Sequence, residues 1–533
     1  MKYTVYLKNT NRNKEEVYEK NEKTFRIYYG NCHVFHTLST GDNICSSEKN
    51  YTISGRTLVP TVKSGKDISK NVNTALKEAK RLGAKGKVHT VKIPKGTYYI
   101  SESLKIWSNT KLDATGCVIK TKKSGFNMIA TGSSEDNQKA TGYKRYKNIM
   151  IMGGVWENSK KNESSAIRLC RGSNITLKNI DMSHGSEKHM VEMAAVDGVK
   201  ITNCKFHDSD IKDSKEKCEA IQLDICANDS AYSNLIYDGS PCKNVLIIGN
   251  TFENVSRGVG THSMLLNNYI ENVTIKGNSF KNITQEAIAC VNYINAKIED
   301  NKMENVGGGI LFHFSKTSND SVYTCIKNGK QAYKGKLRTN AQSSIQNNTI
   351  ETRYHSLCDK NVGIELYGRN ISQEMRGADN GIIPAADYYV EGVTVYNNTI
   401  TAAGYGINLN DAKNNRIANN TIIDGNYVDT DPLHDQYNGI RVSTGSTGNT
   451  INDNTISGIR QTGILLYNNA SATTINGNKI SGCSAYGIRL NKNCSVTQSL
   501  QNNIIRDCPQ GAIVTGEKSG CTVANGISQN TIQ

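Results

Sequence analysis

Asparagine recurs at positions 250, 278, 301, 348, 398, 420, 454, 478 and 503, each closing a short apolar alternation such as V-L-I-I-G-N (245–250) or V-T-I-K-G-N (273–278). Uninterrupted spacings run from 22 to 28 residues, and gaps of 47 and 50 correspond to two periods or to one period with an inserted loop. Within a unit the pattern reads V-x-I-x-x-N, then T/S-F/I, then G-I-x-L. Alternation at period two sends one side chain inward and the next outward. Three such strands in roughly 24 residues, with no helix, cannot close a sandwich locally, but they can close one turn of a parallel β-helix. Strands of successive turns then stack about 4.8 Å apart. Asparagine suits the turn because it tolerates left-handed backbone and its amide can repeat as a hydrogen-bonded ladder.

The bulk composition agrees. Only 37% of the 533 residues are hydrophobic, with 46 Gly and 6 Pro, as expected where each thin rung buries few side chains. The formal charge of +16 fits either a solubilising surface or a long-range attraction for an anionic partner, such as an acidic polysaccharide. Nucleic acid is not expected, since no arginine-rich helix, zinc-finger spacing or aromatic ribonucleoprotein motif occurs. No CxxC pair or Cys/His cluster has zinc spacing among the 15 Cys. Cys218, Cys226 and Cys242 are candidates for a local disulfide, with buried thiols stacked along a core as the alternative. No run of 18 apolar residues exists, so no membrane span is expected, and no signal-peptide core is visible at the start.

Ahead of the repeat, Val72, Ala75, Leu76, Ala79 and Leu82 recur at helical spacing, with Gly83 as the expected C-cap. A solenoid needs its open end covered, and a helix over about 69–82 would do so. V-K-I-P-K-G-T-Y-Y-I (91–100) and S-L-K-I-W-S-N-T-K-L (103–112) follow. This order resembles the opening of the pectate-lyase-like superfamily. The resemblance implies an all-β fold, a right-handed parallel β-helix with an N-terminal capping α-helix, over 55–533. Regular rungs are expected from about 148, with 1–54 as an N-terminal extension. The chain stops at 528–533 in mid-rung, as a fragment would. The superfamily includes lyases, glycoside hydrolases, uronan epimerases and phage tailspikes, so it implies a carbohydrate partner and a secreted or cell-surface location without fixing a reaction. The N-T-D-G-x-D, paired Asp-Asp and R-I-K motifs of polygalacturonases do not occur.

Stacking the G-I-x-L strand rung upon rung gives an uneven outward face. His189, Glu192, Glu219, Gln222, Asp224, Arg257, His262 and Glu286 fall within four rungs, with His313 just beyond. Later rungs carry Asn, Tyr, Arg and Leu there. Cross-rung ion pairing, Glu219 with Arg257 and Asp224 with His262, is one reading of this concentration. The other is a site, with Gly258 and Gly260 opening space for a substrate. Glu192, Glu219, Asp224 and His262 are then the catalytic candidates, and His189, Gln222, Arg257, Glu286 and His313 the substrate-binding ones. Glu192 and Asp224, one rung apart and offset by two residues, should lie roughly 8 Å apart, within the spacing of an inverting glycosidase.

Carboxylate-mediated hydrolysis of an acidic polysaccharide is the leading expectation, and it needs no cofactor. β-Elimination is the alternative, with Ca²⁺ held by Glu192, Glu219 and Asp224 and with His262 or a charge-suppressed Arg257 as base. A third possibility is a glycan-binding surface without catalysis, in which Tyr367, Tyr467 and Tyr486 stack on sugars. The segments 207–218, 226–242 and 315–341 exceed ordinary turns and would wall a cleft.

Overall fold

Successive repeats stack like on like. Val245 and Ile247 pair in register with Val273 and Ile275, and Ile407 with Ile440. Phe206, Phe252 and Phe280 are also in register, with ring centroids 5.4 and 4.7 Å apart. Apolar side chains stacked in these columns form one continuous core. The computed structural model describes the backbone of 4–7, 16–21, 24–29 and 32–36. It also describes 50–533 except 160–163, 186–187, 211–218, 228–232, 234, 262–263, 315–321, 324–325, 328–329, 332–335, 359–360, 379 and 426–436.

The chain divides into two units, 1–50 and 51–533. The first holds four antiparallel strands paired in chain order, Thr4–Leu7, Glu16–Asn21, Thr24–Tyr29 and Cys32–His36. The second is the parallel β-helix, and Tyr51–Ser54 belongs to it through antiparallel pairing with Thr57–Pro60. Stacking starts well before the asparagine repeat, since His89–Lys92 pairs with Thr110–Asp113 and that strand with Tyr146–Met152. Each rung contributes a strand to three faces. Lys243–Ile248 lies on the first, Thr251–Glu253 on the second and Arg257–Gly260 on the third.

The asparagine turn between the first two faces uses two residues where the sequence reading used one. The residue before each repeated asparagine takes the left-handed conformation, as Asn347, Asn397, Asn419 and Asn502 do at φ 57°, 54°, 56° and 58°. The repeated asparagine itself turns inward. Asn420 Nδ2 donates to Val395 O and to Asn454 Oδ1, both at 3.0 Å, while its own Oδ1 accepts from the backbone and side chain of Asn398. The same exchange runs from Asn250 to Asn530. The amides of this ladder are satisfied by their neighbours above and below.

The helix Ser69–Gly83 covers the N-terminal end with Val72, Ala75, Leu76 and Ala79 buried against the first rungs. Gly83 is the last helical residue and not a left-handed cap. A Cβ there would lie 3.2 Å from Asn109 Cβ and 3.3 Å from Ser108 O. Asn109 Nδ2 donates to the Gly83 carbonyl at 2.9 Å, which closes the helix C-terminus from the rung beneath.

Insertions leave the ends of the third face. Arg369–Ile371 pairs with Ala386–Tyr388, and Met264, Leu266, Val291, Ile371, Ile383 and Tyr388 form a separate apolar cluster. A second small cluster joins Cys170, Ala194, Ala195, Cys226 and Leu235 under the segment that follows Asp224. Cys226 and Cys242 are free buried thiols, and Cys218 lies outside the described residues. Among the described residues no helix is long and apolar enough to cross a membrane.

Candidate functional site

The third face carries the outward columns in the expected register. Arg168 pairs with Glu192, Glu192 with Gln222 and Gln222 with Gly260. Ala194 pairs with Asp224, which sets Glu192 and Asp224 one rung apart and two residues along. Farther on, Val291 pairs with His313 and His313 with Tyr367. His262 lies outside the described residues.

The face is enclosed, contrary to an open exterior ridge. Glu192 is 8% exposed, Glu219 and Gln222 1%, and Asp224 0%. His189, Arg257 and His313 are buried as well, and Glu286 is half-buried. Burying so many polar groups is costly unless they are bonded. Arg257 Nη1 donates to Glu219 Oε1 at 2.8 Å. On its other side Nε donates to Glu286 Oε2 at 3.1 Å, and Nη2 bonds the same oxygen. His189 Nδ1 lies 3.1 Å from the Glu219 carbonyl and 3.5 Å from its Oε2. Four successive rungs are thus joined through His189, Glu219, Arg257 and Glu286. Burial pulls the Arg257 pKa down, but the two glutamates outweigh it and raise it above its ordinary value. Arg257 therefore stays charged and cannot act as a base. The pairing of Glu219 with Arg257 matches the ion-pair reading of these residues.

Gly258 and Gly260 do not open space for a substrate. A Cβ on Gly258 would lie 2.5 Å from the Phe280 ring, and one on Gly260 2.6 Å from Ala289 O. Both admit a close approach of the next rung.

Asp224 is held from two sides. Its Oδ1 accepts from the Ile225 amide at 2.7 Å and its Oδ2 from Gln222 Nε2 at 3.0 Å. Glu192 differs. Ser165 Oγ donates at 2.7 Å and Arg168 Nε at 3.1 Å, both to Oε2. No described residue bonds Oε1. Glu192, Glu219 and Asp224 thus face different partners, and no metal set of three His, Cys, Asp or Glu forms among the described residues.

Ser165 and Arg168 were not among the candidates read from sequence. Arg168 was legible as the rung before Glu192 in the same column, whereas Ser165 precedes the strand and carries no periodic signal. The column continues toward the helix cap through Ala130 to Lys105. There a polar cavity of about 100 Å³ is lined by Lys105, Asn127, Thr131, Arg168 and Ser233. Toward the C-terminus, Asn408 Nδ2 donates to Glu365 Oε1 at 2.9 Å, and Arg441 Nη1 donates to Asn408 Oδ1 at 3.3 Å. The Arg441 guanidinium sits 5.3 and 5.7 Å from the rings of Tyr405 and Tyr467. Tyr367 packs edge-on against His313 at 4.7 Å, and Tyr486 lies under Arg489.

Comparison with known proteins bears on the architecture. The family described as a right handed beta helix region matches residues 339–528, about a third of the chain. A tailspike protein of E. coli bacteriophage HK620, solved in complex with a pentasaccharide, is 12% identical, covers 87% of this chain and 78% of its own, and superposes with a TM-score of 0.53. The chain is a right-handed parallel β-helix protein. PfbA, a surface adhesin of Streptococcus pneumoniae, resembles this β-helix at 15% identity over 84% of this chain and 87% of its own, with a TM-score of 0.49. No curated protein matches the sequence. At these identities the likeness extends to the fold alone.

Proposed function

We propose that this β-helix hydrolyses glycosidic bonds of an acidic polysaccharide lying along the third face, with Glu192 and Asp224 as the carboxyl pair. The observation that carries the proposal is the register. Two carboxyls stand on neighbouring rungs, two residues apart along the strand. Strand and rung spacings translate that offset into roughly 8 Å, wide enough for a water between attacking and leaving groups. Glu192 is the base. Arg168 and Ser165 fix one oxygen and leave Oε1 to accept a proton from that water. Asp224 supplies the proton to the leaving oxygen, oriented by Gln222 and the Ile225 amide. Glu219 takes no chemical part, because Arg257 and His189 occupy it; it positions the rungs on either side. Arg168 and Lys105, in one column beside Glu192, supply positive charge for a substrate carboxylate, as the net charge of +16 does at long range. Such a substrate is met outside the cell.

A second reading is glycan binding without cleavage. The exposure of 0–1% at Glu219, Gln222 and Asp224 favours it, since enclosed groups with occupied bonds act more readily as a rigid frame than as reagents. A panel of acidic polysaccharides, assayed for new reducing ends and for the ultraviolet absorbance of unsaturated products, separates the readings. Reducing ends without unsaturation support hydrolysis. Unsaturated products would replace it with elimination, and retardation of the protein in polysaccharide gels without any product would leave binding alone.

A further inference from the structure

Eleven of the described cysteines are free, and all but Cys508 are buried. Two pairs stack across neighbouring rungs in strand register. Ser481 is in register with Arg506, so that two residues farther on Cys483 stacks on Cys508. Ser495 is in register with Thr522, so that one residue earlier Cys494 stacks on Cys521. Both pairs join the same two rungs near the C-terminal end.

The pairs differ in where their sulfurs lie. Cys508 is half-exposed, its Sγ donating to the Arg506 carbonyl at 3.3 Å, and Cys483 is buried one rung away. Cys494 and Cys521 are both buried; Cys494 Sγ donates to the Asn491 carbonyl at 3.0 Å, and Cys521 Sγ accepts from the Cys494 amide at 3.4 Å. Neighbouring parallel strands hold paired Cα atoms about 4.8 Å apart, within the range that a disulfide spans. Only the first pair adds a sulfur that an oxidant in solution can reach.

We infer that Cys483 and Cys508 are a disulfide-forming pair that ties these two rungs together in an oxidising environment, and that Cys494 and Cys521 stay thiols. A small-molecule disulfide is the oxidant. The Cys508 thiolate attacks one of its sulfurs, forms a mixed disulfide and releases one thiol. Cys483 then attacks the Cys508 sulfur, releases the second thiol and completes the bond. Each protein thiol loses one proton, and the oxidant leaves as two thiols. The order follows from access and acidity. Cys508 is half-exposed, whereas burial, followed by the neighbouring Cys508, pushes the Cys483 thiol up to about 12. The oxidised bond closes a loop through a full rung, which restricts the unfolded chain.

The test incubates the folded full-length chain with oxidised glutathione at mildly alkaline pH, alkylates the remaining thiols, and maps peptides without reduction. A Cys483–Cys508 cross-linked peptide is expected, with Cys494 and Cys521 alkylated. The thermal midpoint should rise by a few degrees and fall back on adding a phosphine reductant. In Cys483→Ser the glutathione adduct on Cys508 should accumulate as the trapped intermediate. Full alkylation of both Cys483 and Cys508 in the incubated wild type would overturn the inference. So would a persistent wild-type adduct on Cys508, or a bond between Cys494 and Cys521 in place of the expected one.

Discussion

Arg257 and Glu192 show how two residues in one neighbourhood take opposite roles. Arg257 is clasped by Glu219 and Glu286 with almost no solvent around it. Removing it leaves two enclosed carboxylates without their cation, so Arg257→Met should cost about 3–5 kcal/mol in chemical denaturation. A loss within experimental error would mean that water reaches the pair. Glu192 keeps one oxygen without a described partner. Glu192→Gln should lower turnover on a cleaved polysaccharide by about 100-fold or more while the melting temperature stays near that of wild type. Retained turnover would remove Glu192 from the chemistry. The columns that bring these residues together were legible because period-two alternation and a constant rung length fix register. Their enclosure was not. The segments that cover the third face carry no periodicity, and nothing in G-I-x-L tells an open strand from a covered one. The glycines misled for a related reason: a missing Cβ reads as empty space until the Phe280 ring is known to fill it.

At the scale of elements, the asparagine turn and the capping helix follow from short patterns, with one adjustment each. The repeat was legible as a ladder, but the left-handed residue and the ladder residue are neighbours and not the same position. Asn420→Ala removes donors to Val395 and Asn454 and an acceptor for Asn398, and should cost about 1–3 kcal/mol. Asn419→Ala, next in sequence, loses only an exposed bond to the Tyr396 hydroxyl and the ease of a φ of 56°. Its smaller effect, read in the same urea titration, would separate the two functions; equal costs would merge them. The helix was legible from its apolar spacing. Its closure by Asn109 was not, because that partner lies 26 residues away in the chain.

For the molecule as a whole, acid stability rests in part on the ion pair of Asp238 with Arg171, which lies on the same strand as Arg168. Burial pushes the Asp238 carboxyl up, but the Gly142 amide and Arg171 outweigh it and hold the group below the ordinary carboxylate range. A depressed folded pKa contributes stability that is complete above the unfolded value, about 3.9, and is lost as pH falls through the folded value. Asp238→Asn should therefore be less stable than wild type at neutral pH, and the gap should narrow on acidification in that window. A gap independent of pH would show that the carboxylate charge is not what Arg171 responds to. Binding of an anionic polysaccharide should also weaken steeply with salt, given the excess of positive charge, and an affinity constant from low to high ionic strength would remove long-range attraction from the account.

The insertions that leave the third face pack into clusters of their own, such as the one around Met264 and Tyr388. The columns beneath them hold their register through bonds to the rungs above and below. A lineage can therefore exchange these excursions without renegotiating the stack that supports them. Periphery and scaffold are inherited as separate traits.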